Sequence, residues 1–269
     1  MAILRYVKDP AQLKASANPH KGGMKSTVRS VRAFYETDPE IAAALLPRPL
    51  RPAARPEIFL QFANVAMHVS PEKTVEINAS TVAVMADYEG RRGGYVLGMV
   101  MQGDFVVIKG RETFGEPKKI GKVDFDVDGD RFKVAVTRHD IPFIEVSGTI
   151  GDSTGPAQFE ENFFCHKAMP AIDRREGGFD GDVFLTQLDW KRDYTDVKTC
   201  IGDIILRESP WDPMVDVPVR KIVRIEMAEG STRTSGQVLQ KIPPEWAAPF
   251  IHQRYDDRLT DGLEVHPAK

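Results

Sequence analysis

KVDFDVDGDRFKVAVTR, residues 122–138, sets the reading of the fold. Val123, Phe125 and Val127 alternate with Asp124, Asp126 and Asp128. Phe132, Val134 and Val136 then alternate with Arg131, Lys133 and Ala135. A period of two puts one set of side chains on each face of a strand, and an Asp128-Gly129 turn between two such runs predicts a hairpin. The same residues imitate the start of a calcium loop, Asp-x-Asp-x-Asp-Gly. That loop needs a bidentate glutamate at its twelfth position, and Ala135 stands there.

Outward from the hairpin the pattern stays β. EIFLQFANVAMHV (57–69), EINASTVAVMADY (76–88) and GGYVLGMVMQGDFVVIKG (93–110) are rich in β-branched and aromatic residues, and glycines or prolines separate them. Further strands are expected at 142–150, 182–190, 195–207 and 217–228. Helices are few. Asp38 suits an N-cap, Pro39 a first helical position and Glu40 the positive helix end, so a short helix is expected over ETDPEIAAALLP, ended by Pro47 and Pro49. PPEWAAPFIHQRYDD (243–257) reads as a second. Residues 1 to about 30 read as a polar, loop-like arm with a break at His20-Lys21-Gly22-Gly23. The expectation is one α+β domain over 1–269, mainly an antiparallel β-barrel or cone with a few short peripheral helices.

Composition narrows the function. Lysine and arginine total 36 against 39 aspartates and glutamates, a net charge of -3, which argues against a nucleic-acid surface. Cys165 and Cys200 make neither a C-x-x-C pair nor a disulfide framework. The start, MAILRYVKDP, has no apolar core of a secretory signal, and the uncharged stretch 58–71 is too short to span a bilayer, so the expectation is a cytoplasmic protein without a membrane partner. No G-x-G-x-x-G, P-loop, G-x-S-x-G or helix-spaced histidine pair occurs. Gly90-Arg91-Arg92-Gly93-Gly94 lies between two strands and reads as a solvated hairpin loop rather than a phosphate cradle.

GRETFGEPKKIGKVDF (110–125) stands apart, with Lys118 and Lys119 side by side after Pro117 between apolar runs. By spacing alone this is an exposed basic turn, because lysine is rarely buried. The stretch nevertheless resembles the active-site segment of the acetoacetate decarboxylase family, in which G-R-E is followed by P-K-K-[IL]-G. Other blocks match in order. Phe34-Tyr35-Glu36-Thr37-Asp38 with Leu46-Pro47-Arg48-Pro49-Leu50 resembles the family's Tyr-x-Thr-Asp helix and its terminating P-x-P-L. Ala66-Met67-His68 resembles an A-M-H strand. Pro213 with Val217-Pro218-Val219-Arg220-Lys221-Ile222-Val223 resembles the late L-P-V-K-E-I-V block.

The resemblance implies a lyase acting on a small β-keto or 2-oxo acid through a lysine Schiff base. Decarboxylation of an acetoacetate-like substrate comes first. Aldol condensation and dehydration on a pyruvate-type donor, or a β-barrel that binds a small molecule without catalysis, are the alternatives. The resemblance makes Lys118 the Schiff-base nucleophile and Lys119 its neighbouring cation. A protonated imine accepts the electron pair left by departing CO2 far better than a ketone does. A lysine in that role must reach the free-amine form. Activation by desolvation or an adjacent cation is the established behaviour of acetoacetate decarboxylase rather than something read from this sequence.

If the two lysines lie on a strand, they point to opposite faces. The family's decarboxylases also carry an arginine on an early strand and a glutamate before the second strand block. Counting from Tyr35 and Gly90 places these at Val28 and Ala79, with Arg29 one residue away and Glu76 fitting only with a gap. Arg29 and Glu76 are therefore the candidates for handling the substrate carboxylate. Glu112, Tyr88 and Tyr95 are candidate proton shuttles, with Arg111–Glu112 alternatively a structural ion pair. Tyr88, Tyr95, Met99 and Phe114 are candidate substrate contacts. The segment 162–167 is another possible neighbour of the pocket. The resemblance further implies a homo-oligomer with neither a metal nor an organic cofactor.

Overall fold

The computed structural model describes residues 6–16, 24–70, 72–173, 178–251 and 254. In chain order the strands are β1 (Met24–Glu36), β2 (Arg51–Pro52), β3 (Glu57–Ser70), β4 (Lys73–Tyr88), β5 (Arg91–Met101), β6 (Lys118–Ile120), β7 (Lys122–Asp128), β8 (Arg131–Arg138), β9 (Ile141–Lys167), β10 (Val183–Leu206) and β11 (Lys221–Ile242). The helices are α1 (Pro10–Ser16), α2 (Pro39–Ala44), α3 (Asp104–Phe114) and α4 (Pro244–Ile251). The expected α+β architecture of barrel and peripheral helices is what forms.

Seven strands close a barrel in the order β5-β4-β3-β1-β11-β10-β9. Neighbours are antiparallel except at the closure, where β5 meets β9 in parallel, Gly94 opposite Phe163 and Tyr95 opposite Phe164. The glycines explain why the barrel closes there. A Cβ on Gly93 would lie 2.6 Å from the Asn162 carbonyl oxygen. One on Gly94 would lie 2.9 Å from the Ala83 Cβ and 3.2 Å from the Phe163 ring. Only residues without side chains let β5 come this close. The glycine-rich segment is thus only partly a loop: Glu89 and Gly90 form the turn at positive φ (52° and 81°), and Arg91 to Gly94 begin β5.

The expected hairpin forms, with Val123 opposite Val136 and Asp128 opposite Arg131, so the turn is Gly129-Asp130, one residue later than the expected Asp128-Gly129. Its strands extend the sheet past the barrel edge. There Val123, Val134 and Val136 join Ile58, Leu60 and Phe62 of the barrel's outer face in one buried cluster with Ala247 and Ile251 of α4. The inner face carries a second cluster. Phe34, Phe59, Phe163 and Trp190 stack in series across the lumen, with ring centroids 5.0, 5.5 and 4.4 Å apart. Stretches of β1, β3 and β4 are thus buried on both sides and read as nearly continuous apolar runs.

Four expectations change. Residues 104–110 are not strand. Gly103, at φ 98°, ends β5, and α3 follows, closing on Gly115 in the left-handed region at φ 77°. The run Phe105-Val-Val-Ile108 has β propensity, but tertiary context overrides it. The arm expected over 1–30 contains α1 and the first seven residues of β1, while residues 1–5 and 17–23, with the His20–Gly23 break, lie outside the described residues. The strands expected at 182–190 and 195–207 are one strand, β10, with a bulge near Tyr194. Asp38 does precede α2, but its carboxylate goes to Arg220 (2.8–3.1 Å) rather than to the helix amides. Among the described residues, no helix is long and apolar enough to cross a membrane.

Candidate active site

α3 ends against the barrel, and the chain turns through Gly115-Glu116-Pro117 into β6, which lies beside β5 with Lys118 opposite Met99. Gly115 is required twice, for its positive φ and because a Cβ there would lie 2.3 Å from the His166 carbonyl oxygen. Three carbonyls at and just past the end of α3 accept from side chains: Lys167 donates to Thr113 O (3.0 Å), Thr186 to Phe114 O (2.7 Å) and Arg254 to Gly115 O (2.9 Å). Arg254 also reaches His166 O (2.9 Å), and Arg111 donates to Arg254 O (3.1 Å) and Lys118 O (3.4 Å). Met99 N donates to Pro117 O (3.1 Å). The turn before Lys118 is therefore held from both sides.

Lys118 points into the barrel. Its Nζ lies 2.7 Å from Glu116 Oε2, and the two side chains are only 12% and 4% exposed. The pair rests on the bare backbone of Gly110, where a Cβ would stand 2.3 Å from the carboxylate and 2.5 Å from the amine. Both line a cavity of about 150 Å3 at one end of the barrel. Phe114 and Trp190 contribute to its wall, as do Gln61 and Arg192.

Arg192 is buried and tied in place. It donates to Glu161 (2.9 Å) and to Gln61 Oε1 (2.9 Å). Behind it Arg32 is paired with both Glu161 and Glu226. Burial works against the Arg32 charge, but Glu161, Tyr194 and Glu226 more than offset it, and its pKa lies above the ordinary arginine value. Of the cations on the cavity wall, Arg192 is buried and Lys118 nearly so, whereas Lys109 at its edge is exposed.

Lys119 faces the other way. Its amine bonds Asp212 Oδ1 (2.9 Å) and Trp211 O (3.1 Å), and Arg138 takes Asp212 Oδ2 (2.7 Å). The strand alternation that separates the two lysines makes Lys119 an anchor for the 209–212 segment instead of a neighbouring cation for Lys118. The charged group beside Lys118 is a carboxylate.

The remaining candidates divide by strand parity. Arg29 points away from the cavity and pairs with Glu229 (2.7 Å) at the surface, whereas Val28 lines the wall. Glu76 is exposed on the outer side of β4, whereas Ile77 and Ala79 line the wall. The counted positions Val28 and Ala79 thus do face the site, and neither can carry charge there. Tyr88 and Tyr95 belong to the outer cluster, Tyr88 against Phe164 (6.1 Å) and Tyr95 against His166 (5.5 Å). Burial also pushes the Tyr95 hydroxyl pKa up, away from shuttle duty. Glu112 is exposed on α3, on a cleft shared with Lys119 and Arg138. Met99 is fully buried in the inner cluster beneath Lys118, and Phe114 alone of the four substrate-contact candidates is on the cavity wall. In 162–167, Phe163 and Cys165 face the lumen as packing, while Phe164 and His166 face out.

The sequence profile of the acetoacetate decarboxylase family matches residues 10–242. The chain belongs to the acetoacetate decarboxylase family. Among curated members, the acetoacetate decarboxylase of Burkholderia vietnamiensis is 32% identical over 96 residues, 36% of this chain and 37% of that protein. That of Chromobacterium violaceum is 33% identical over 98 residues, again 36% and 37% of the two chains. The matched stretch thus spans little more than a third of the relatives' length. Among solved structures, the enduracididine biosynthesis enzyme MppR superposes with a TM-score of 0.68 at 16% identity, covering 86% of this chain and 92% of that one. MppR has also been solved with pyruvate and with the condensation product of pyruvate and imidazole 4-carboxaldehyde. The acetoacetate decarboxylase of Legionella pneumophila gives 0.65 at 21% identity, covering 83% and 90%. Solved structures with and without the decarboxylase name thus share this fold.

Proposed function

We propose that the protein is a carbon–carbon lyase that binds a small oxo acid as a Schiff base on Lys118, with decarboxylation of a β-keto acid as its leading reaction. The observation that carries this reading is the Lys118–Glu116 pair, 2.7 Å apart and largely shielded from solvent on the wall of an apolar cavity.

The residues divide the work. Glu116 takes a proton from the Lys118 ammonium, and the free amine adds to the substrate carbonyl carbon. Glu116 returns the proton as water leaves, giving the iminium. The bond to the carboxylate then breaks. CO2 departs, and its electron pair moves through the new C=C bond onto the imine nitrogen, giving an enamine. The enamine carbon takes a proton, and water hydrolyses the iminium to release the ketone and restore Lys118. Arg192, fixed by Glu161 and Gln61, is the buried cation toward which the substrate carboxylate is oriented.

A second reading is supported by particular residues. Val28 and Ala79 occupy the positions where the family's decarboxylases are charged, while Glu116 is placed to move protons to and from an enamine. Aldol condensation with an aldehyde followed by dehydration uses those features. There the enamine carbon attacks the aldehyde, and Glu116 serves as acid and base in the loss of water.

One experiment tests both. The protein is incubated with acetoacetate or pyruvate, CO2 is measured, and borohydride is added. CO2 release with irreversible labelling supports the decarboxylase. Labelling without CO2 supports the aldolase reading. Folded protein that no oxo acid labels is a binding protein of this fold, and the lyase reading is then wrong.

A further inference from the structure

The wall of the Lys118 cavity is much more apolar than a methyl ketone needs. Beyond Glu116, Gln61, Lys118 and Arg192, and the small polar Ser26, Thr232 and Thr234 of β1 and β11, it is lined by Val65, Met67 and Val69 of β3, Ile77 of β4, Met101 of β5 and Phe105 of α3. Exposure rises toward the open end: Met67 and Met101 are buried, Val69 and Ile77 are half-buried, and Phe105 is exposed. Glu116, Gln61 and Arg192 are buried, and the apolar residues of β3, β4, β5 and α3 form a channel that grades outward to the exposed Phe105. Val28 and Ala79 extend that channel inward. At the rim one exposed charge, Lys109, lies over the Phe105 ring (5.7 Å). Apolar surface arranged in this way gains from being covered by a ligand.

We infer that the preferred substrate is an oxo acid that carries an apolar chain or ring on the far side of its reacting carbonyl, seated along Met67, Val69, Ile77 and Phe105 while its carboxylate points to Arg192. The inference rests on Lys118 as the Schiff-base residue. It goes further by naming the class of acid. Bare acetoacetate or pyruvate leaves the channel empty, and each additional methylene buried there contributes about fourfold in affinity.

The test reads binding at Lys118 directly and so works for either reaction. Intact protein is titrated with two series, acetoacetate to 3-oxooctanoate and pyruvate to 2-oxohexanoate. Each sample is reduced with borohydride, and the concentration that labels half of Lys118 is read by mass spectrometry. The expected result is a fall of about tenfold or more from the four-carbon to the six-carbon 3-oxo acid. In Val69→Gln, which alters only the half-buried outer wall, that advantage shrinks to less than half. Labelling that is equal along both series, or weaker for longer acids, overturns the inference and leaves the Schiff-base reading standing. No labelling by any acid overturns both. An advantage for longer acids that Val69→Gln leaves unchanged places the chain elsewhere and also contradicts the assignment.

Discussion

Lys118 and Lys119 share a peptide bond and nothing else. One amine faces the lumen, against Glu116 and an apolar cavity. The other faces the outer layer, where Asp212 and Arg138 complete a buried network that pins the 209–212 segment. Strand geometry makes the difference, because neighbouring side chains on a strand leave by opposite faces. The barrel therefore separates a cavity-lining amine from a structural one at the width of one β-strand, and a residue's face decides its surroundings more than its charge does.

The largest expected effect falls on the inner lysine. Lys118→Arg keeps a cation beside Glu116 but cannot form an imine, so turnover should fall by at least ~10³-fold while circular dichroism and Tm stay near those of the parent. Retained turnover would contradict the assigned nucleophile. Glu116→Gln comes next. Loss of a positioned proton carrier typically lowers the rate by ~10²–10⁴-fold, and the loss should appear in kcat with the pH profile altered. A change in KM alone would make Glu116 a binding group only.

The outer lysine should behave in the opposite way. Lys119→Met leaves Asp212 with Arg138 and removes a buried charge partner, which should cost about 2–4 kcal/mol of stability. Borohydride labelling of Lys118 should persist in the folded fraction. Undiminished stability with lost labelling would mean that Lys119 acts on the chemistry after all.

The smallest effect is a pH dependence on the outer face. Burial, with Arg254 beside it, pushes the His166 pKa down to about 3. Neither ring nitrogen has a hydrogen-bond partner among the described residues. Below its unfolded value of about 6.5, the unfolded chain takes up a proton that the folded chain refuses. Stability from this residue is therefore complete above that pH and is lost as the pH falls, by up to ~1.4 kcal/mol per unit. Urea unfolding between pH 7 and 4 should give a flatter profile for His166→Phe than for the parent. Identical profiles would mean that His166 does not carry the acid sensitivity.

The parity that separates the lysines also explains what was legible in the sequence. The hairpin at 122–138 was readable because its period of two and its glycine turn are local. Lys118 was readable because the motif around it is contiguous. Arg29 and Glu76 were chosen for their charge, yet one step along the chain is enough to move a side chain from the lumen to the surface. The counted positions, Val28 and Ala79, were on the correct face all along. Glu116 was visible within the motif, but its role depends on the turn that folds it back onto Lys118. Gln61 and Arg192 lie 131 positions apart in the chain. They meet across the lumen from β3 and β10, which β1 and β11 separate in the sheet, and that juxtaposition leaves no local pattern. The α3 boundary was misread for the converse reason, since Phe105 to Ile108 have strand propensity and only the tertiary setting makes them helical.

The most direct measurement maps the site of the adduct. Protein reduced with borohydride in the presence of an oxo acid is digested, and the peptide spanning 112–122 is sequenced by tandem mass spectrometry. The account predicts modification on Lys118 and none on Lys119. Modification on Lys119, or an even division between the two, would contradict it.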